Sequence, residues 1–468
     1  MNLTKHSFIK NLSVAFIANL VSLLVSSLLT LVLPKFIGVS QYAYYQLYVF
    51  YASYVGFLGF GWIEGIYLRY GGEYYSKIDK SLFSSQLRLF IFFEAILSIV
   101  IFTITVISFP GIEKTIVYIS FGVCIIIYMP RALLHNLLQT TGRIKEYAIG
   151  VIIEKAVHIL IITIGILMGQ DSSVWFISSE LLGRSCAAIY IFYICRDLVF
   201  AKPIHFRDIK FEVKDNISCG LVLMVSNVAS MLIIGVMRQA IVIYWDVETF
   251  GKISLTLSIS NLLLIFINSI ALVLFPMLKR SDKGELAGIY GNMRTALMVP
   301  ILFSLVFYYP VKTILSAWLP QYAESLKYMA ILFPMCVYES KISLLINTFM
   351  KALRKEKILL LINIGAVICS FFSALLVCRV IHSLDLAIVS IVIILIVRCV
   401  VSEIILRHYI NINIYKDIVY ELILTSIFIL VSWFIGGYHG VMIYLGIFML
   451  YFYLKKNDII VLLGKIKK

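Results

Sequence analysis

The sequence predicts an all-α, polytopic membrane protein of about 14 transmembrane helices, at roughly 20 apolar residues per crossing. Three observations predict it. Of 468 residues, 61% are hydrophobic and only 14% are charged, against about 45–50% and about 25% in soluble domains. The mean hydropathy is +0.98. The apolar residues also run together in stretches long enough to span a bilayer. In water such a chain would expose more apolar surface than any core could absorb, which excludes a soluble enzyme and a disordered chain.

The spans follow in order. Met1 to Lys10 is short and basic, and the uncharged run Leu12 to Leu33 follows it. That run is too long for a signal-peptide core and no A-x-A site follows, so it reads as a retained first helix. Gln41 to Ile63, Ile217 to Met237, Ile253 to Leu278 and Ile358 to Cys378 are likewise free of charge. Leu89 to Phe109, Ile116 to Leu138, Tyr147 to Met168, Val174 to Cys195, Tyr328 to Phe349 and Leu386 to Ile405 hold a few ionisable residues each, and Thr295 to Val311 is slightly short. Leu422 to Leu454 is too long for one helix, and Gly436-Gly437-Tyr438-His439-Gly440 divides it into a hairpin of two.

The net charge of +15 reflects 40 Lys and Arg against 25 Asp and Glu. In a membrane protein such an excess marks cytoplasmic loops rather than nucleic-acid binding. With both termini inside, 28 basic residues fall on inner segments and 6 on outer loops. That bias predicts an even number of spans, with both ends cytoplasmic. The eight cysteines form no CxxC pair and lie mostly in apolar runs, and the histidines form no HxxxH. Neither pattern predicts a disulfide framework or a metal site.

Two short matches suggest an internal repeat. Val39-Ser40-Gln41-Tyr42-Ala43 follows the first span and Val247-Glu248-Thr249-Phe250-Gly251 follows the seventh, 208 positions on. Lys145-Glu146 and Lys355-Glu356 stand 210 positions apart, after the fourth and tenth spans. The near-equal offsets predict a six-helix lobe over 1–205, a second over 206–410, and two added helices with a basic tail over 411–468. Such repeats typify transporters that hold substrate between lobes. The basic stretch Arg196 to Asn216 reads as an interlobe loop or as an amphipathic segment on anionic lipid.

Outer loops are short, and no G-x-x-x-x-G-K-[ST], G-x-S-x-G or catalytic carboxylate pair sits in a sizeable loop. The chain therefore reads as a non-enzyme with no catalytic residue and no cofactor. Any energy source would be a proton or other cation gradient, or the membrane potential.

Leu33-Pro34-Lys35-Phe36-Ile37-Gly38-Val39-Ser40-Gln41-Tyr42-Ala43-Tyr44-Tyr45 resembles the stretch after the first helix of bacterial O-antigen/polysaccharide flippases, part of the multidrug/oligosaccharidyl-lipid/polysaccharide export superfamily. Thr141-Gly142-Arg143-Ile144-Lys145-Glu146-Tyr147, Trp318-Leu319-Pro320-Gln321-Tyr322-Ala323 and the Lys351 to Lys357 run are similar to other stretches of that family. One departure is Ala43, where the family usually has Gly. The resemblance implies alternating-access translocation of an undecaprenyl-pyrophosphate-linked glycan from the inner to the outer leaflet. It also implies an O-antigen polymerase and a chain-length regulator as partners beside the bilayer, and no nucleic acid. The lipid tail can stay in the membrane, but a sugar pyrophosphate cannot cross about 30 Å of hydrocarbon unaided.

Charges within spans are the candidate site residues, because each costs roughly 2.5–3.5 kcal/mol to insert. Arg131 and Lys155 lie about 13–16 Å from the inner ends of their helices. Either facing a cavity or snorkelling inward accounts for them. Glu180 and Arg184, four apart with the acid first, suit an intrahelical pair. Glu154 and His158, also four apart, suit either a proton-responsive pair or a plain hydrogen bond. Glu339 and Lys341 point to different faces, as do Arg398 and Glu403. Glu64 and Arg69 close the second span at the inner surface, where a phosphate would first arrive, although Arg69 also reads as a topology anchor. Arg238 stands inside the seventh helix, because Ala240 to Trp245 continue it. It is the favoured pyrophosphate ligand, with Arg69, Arg131 and Lys341 as further candidates. Snorkelling toward the outer headgroups is the alternative.

Three other readings compete. A cation-coupled multidrug antiporter of the same superfamily should stop near 12 helices and prefer acidic cavity residues. A membrane glycosyltransferase, polymerase or ligase should carry a large outer loop. A lipid II flippase shares the lipid chemistry, although the first helix here has no Arg.

Overall fold

The computed structural model describes residues 5–109, 111–262 and 286–460, and all regular structure among them is helical. The later part of the eighth sequence span, the basic residues at 279–283 and the tail at 461–468 lie outside the described residues. The chain divides into two compact units, Met1–Val228 and Ala229–Lys468.

In the first unit, α1 (Lys5–Phe36), α2 (Val39–Ala52) and α3 (Trp62–Arg69) lead to four long helices. These are α4 (Lys80–Ser108), α5 (Ile112–Thr140), α6 (Ile144–Leu167) and α7 (Ser173–Ile194). The short α8 (Arg196–Val199) precedes α9 (Phe206–Tyr244), in which the division between units falls. α5 is the centre of this unit and packs against α2, α3, α4, α6 and α7. Half of its most apolar window is buried, against 22% for α4. Pro130 lies inside α5 without ending it.

The second unit contains the rest of α9, helix 247–262 (α10), α11 (Leu286–Ser304) and α12 (Tyr308–Trp318). It continues with α13 (Met329–Ala352), α14 (Glu356–Ile381), α15 (Leu384–Ile410), α16 (Tyr415–Phe434) and α17 (Gly437–Leu454). In α13, 89% of the apolar window is buried, so it is the core helix of this unit. Gly436 and Gly437, both at positive φ, separate α16 from α17 at the break read from the sequence.

Among the described residues ten helices are long and apolar enough to cross a membrane, or eleven if the bent α2–α3 pair counts as one span. Helix α7, which holds Glu180 and Arg184, is not among the ten. Three segments differ from the sequence reading. Gln41 to Ile63 is not one rod: α2 ends at Ala52, a 3₁₀ turn follows, and α3 leaves at 60°. Phe60 and Gly61, both left-handed, make that corner. Arg196 to Asn216 is not chiefly loop, because α9 already begins at Phe206 with alternating charges on its first turns. The short ninth span begins earlier than expected, at Leu286, and runs through a 3₁₀ turn to Trp318.

Candidate functional site

The buried charges of the first unit gather where α5, α6 and α7 meet. Arg131 ion-pairs with Glu154, and Lys155 lies 3.6 Å from the same carboxylate. Arg184 pairs with Glu180 one turn away and donates to Cys124 Sγ at 2.7 Å. The Tyr128 ring sits between the two guanidinium groups, 5.3 Å from Arg131 and 5.1 Å from Arg184. Such cation–π contacts gain strength where water is excluded.

Gly183 permits this arrangement. A Cβ there would stand 2.6 Å from the Glu154 carbonyl oxygen, so only glycine lets α7 approach α6 this closely. Glu154 and His158 share a face of α6 but are not bonded to each other. Glu154 is taken by Arg131, and neither ring nitrogen of His158 has a hydrogen-bond partner among the described residues. The Nε atoms of Arg131 and Arg184 are also without one.

Three cations (Arg131, Lys155, Arg184) thus face two carboxylates (Glu154, Glu180), with donor capacity to spare. Buried charge is costly unless balanced, and buried donors are normally satisfied. An anionic group would meet both demands.

At the end of α3, Arg69 forms an ion pair with Glu212 on α9, and both groups keep some exposure. Gly65 allows that approach, because a Cβ there would strike the Asn216 carbonyl. Glu64 has one buried carboxylate oxygen without a partner among the described residues. Beside these helices a groove of about 420 Å³ is lined by Leu89, Val213, Ile217 and Leu221, with Lys210 and Lys214 along it.

The second unit holds a balanced network. Arg294 on α11 contacts Glu403 at 2.8 Å, Asp417 at 3.0 Å and Glu421 at 2.8 Å. Lys341 pairs with Glu403 and lies 2.7 Å from Glu421. Tyr290 donates to Glu403 at 2.8 Å, and Lys455 lies 2.5 Å from Asp417. Lys341 begins a π-helical turn, Lys341–Ile346, a feature frequent at functional positions. It is 1% exposed and committed to two carboxylates in this conformation. Separately, Arg398 ties α15 to Glu339 at 3.0 Å, Asn363 at 2.9 Å and Ser230 at 2.8 Å. Arg238 lies within α9, donates to Ser254 Oγ at 2.9 Å and stacks over Phe250 at 5.1 Å.

Sequence reasoning missed the part played by Arg294, Asp417 and Glu421. Arg294 stands one residue before the span Thr295 to Val311 read from the sequence, yet it is 3% exposed. A helical pattern extended back to Leu286 would have found it. Glu94, the one ionisable residue between Leu89 and Phe109, also went unremarked.

No protein-family model and no curated sequence matches the chain. Among solved structures it is similar to one described as a lipid II flippase MurJ in an inward closed conformation. The TM-score is 0.68 at 12% identity, over 96% of this chain and 100% of that one. It is also similar to an outward-facing multidrug resistance MATE family transporter of the MOP superfamily, with TM-score 0.51 at 15% identity over 86% and 95% of the two chains. A MATE structure in complex with MaD3S gives TM-score 0.51 at 13% identity over 86% and 96%. The likeness lies in the fold, which this chain shares with those structures.

Proposed function

We propose that this chain is a flippase that moves undecaprenyl-pyrophosphate-linked oligosaccharide, an O-antigen repeat unit, across the bacterial inner membrane by alternating access. In this reading the chain spans about 14 times, with both termini cytoplasmic and lobes at 1–205 and 206–410 followed by an added pair. The observation that carries the proposal is the uncompensated positive charge of the first unit, with its unused Arg131 and Arg184 donors. An anionic diphosphate suits it, whereas a cationic drug does not. The motifs at Leu33 to Tyr45 and Thr141 to Tyr147 support the glycan-lipid class. The groove beside Leu89, apolar with lysines along it, suits a prenyl chain next to a phosphate. Arg69, Arg131 and Arg238 are the proposed substrate contacts, and the membrane potential favours outward movement of an anion by about 2.3 kcal/mol per charge per 100 mV.

A second reading, translocation of lipid II, is favoured by the likeness to the MurJ structure over 96% of this chain and 100% of that one. The two readings share the polyprenyl diphosphate and differ in the sugar.

Binding to the purified chain, followed by native mass spectrometry, tests the shared chemistry. Undecaprenyl-pyrophosphate-linked glycan should bind more tightly than its monophosphate counterpart. The charge-balanced double variant Arg131→Gln/Glu154→Gln should fold and weaken binding by about tenfold or more, the effect of losing a charged hydrogen bond. Equal binding of both lipids by both proteins would remove the reading.

A further inference from the structure

Glu94 occupies the middle of α4, fourteen residues from Lys80 and fourteen from Ser108. That is about 21 Å of helix on either side at 1.5 Å per residue. The residue is fully buried, and neither carboxyl oxygen has a hydrogen-bond partner among the described residues. The other deeply buried acids of the first unit, Glu154 and Glu180, each hold a guanidinium.

The surroundings offer Glu94 no charge. Ser98, one turn further along α4, donates to the Gly122 carbonyl, while Phe90 and Met129 both flank Gly59. The stretch of α5 opposite Glu94 therefore lies between Gly122 and Met129. Its titratable groups are Cys124 and Tyr128, and both are turned to Arg184. The 3₁₀ turn Val55–Gly59 holds none. On α8, Asp197 is engaged with Lys80 and Tyr75 at the N-terminal end of α4. Helix α9 meets α4 at Gln86 and Asn216, and Lys210 and Lys214 line the groove beside Leu89.

An ionised carboxylate left bare in such a place carries a heavy desolvation cost, whereas a carboxylic acid does not. A metal ion would need further ligands, and among the described residues no group of three His, Cys, Asp or Glu could supply them. We propose that Glu94 is a proton-binding site. Its carboxyl is protonated in this conformation and gives the proton up only when the packing of α4 against α5 and the 3₁₀ turn opens to water. The proposal stands on the geometry of the first unit and is independent of the substrate assigned above.

Carbodiimide labelling of the full chain in membranes tests it. With N,N′-dicyclohexylcarbodiimide, the acid proton passes to a carbodiimide nitrogen and the carboxylate oxygen adds to the central carbon. The acyl group then migrates to nitrogen, and nothing leaves. Peptide mass spectrometry should find the adduct at Glu94 at neutral pH, with Glu154, Glu180 and Glu403 unlabelled because each is held in an ion pair with a cation. The yield at Glu94 should fall about tenfold per pH unit once the group titrates. Glu94→Gln should keep the protein level and thermal profile of the parent and lose that adduct. No adduct at Glu94 at neutral pH, or a yield unchanged up to strongly alkaline pH, would overturn the proposal.

Discussion

Glu403→Gln is expected to lower stability by about 3–5 kcal/mol, the cost of leaving buried cations without a counter-charge. Glu403 is fully buried and holds Arg294, Lys341 and the Tyr290 hydroxyl at once. Its removal leaves Arg294 and Lys341 against Glu421 and Asp417, with Asp417 shared with Lys455, which also pairs with Asp458. The network joins α11, α13, α15 and α16 to the residue after α17, so the loss should reach the whole second unit. The double variant Lys341→Met/Glu403→Gln removes one charge of each sign and should recover most of the loss, because apolar replacement of a buried pair is often neutral. Thermal unfolding in detergent, read by size-exclusion recovery, measures both. A single variant as stable as the parent would mean that water reaches this network.

The second large effect is on function. Arg238→Ala should abolish surface polysaccharide in a host lacking its own flippase while leaving the protein level intact, and Arg238→Lys should restore it only in part. A guanidinium can hold a diphosphate through two parallel hydrogen bonds, which an ammonium cannot reproduce. Losing charged hydrogen bonds of about 1.5–3 kcal/mol each weakens binding roughly ten- to hundredfold. Ser254 and Phe250 hold the side chain in place. Phe250 itself belongs to the Val247 to Gly251 segment. Full polysaccharide export by the alanine variant at normal level would assign Arg238 to anchoring alone.

The fold class was legible because hydrophobic runs of spanning length need no tertiary information. The Gly436-Gly437 break was legible for a related reason, since two glycines at positive φ leave a helix few alternatives. The corner at Phe60 and Gly61 was not. Tyr42 to Ile63 is as apolar as any helix, and the bend depends on glycines that let α3 and α9 touch through Gly61, Gly65 and Gly220.

The pair Glu180–Arg184 could be read from its spacing alone, because both partners lie on one helix. Arg131–Glu154, Lys341–Glu421 and Arg398–Glu339 join different helices, or segments 59 to 80 residues apart in two of the three cases, and spacing is silent about them. Glu154 illustrates the limit. Its nearest acid–base neighbour in sequence pattern was His158, but the guanidinium from α5 reached it first.

Translocation in proteoliposomes tests the central claim most directly. The purified chain is reconstituted with radiolabelled undecaprenyl-pyrophosphate-linked glycan, and the label reaching the opposite leaflet is measured. The account predicts protein-dependent translocation, lost in the Arg238→Ala variant and faster when the glycan starts on the negative side of an imposed potential. Absence of glycan-lipid translocation, with efflux of cationic drugs instead, would contradict it.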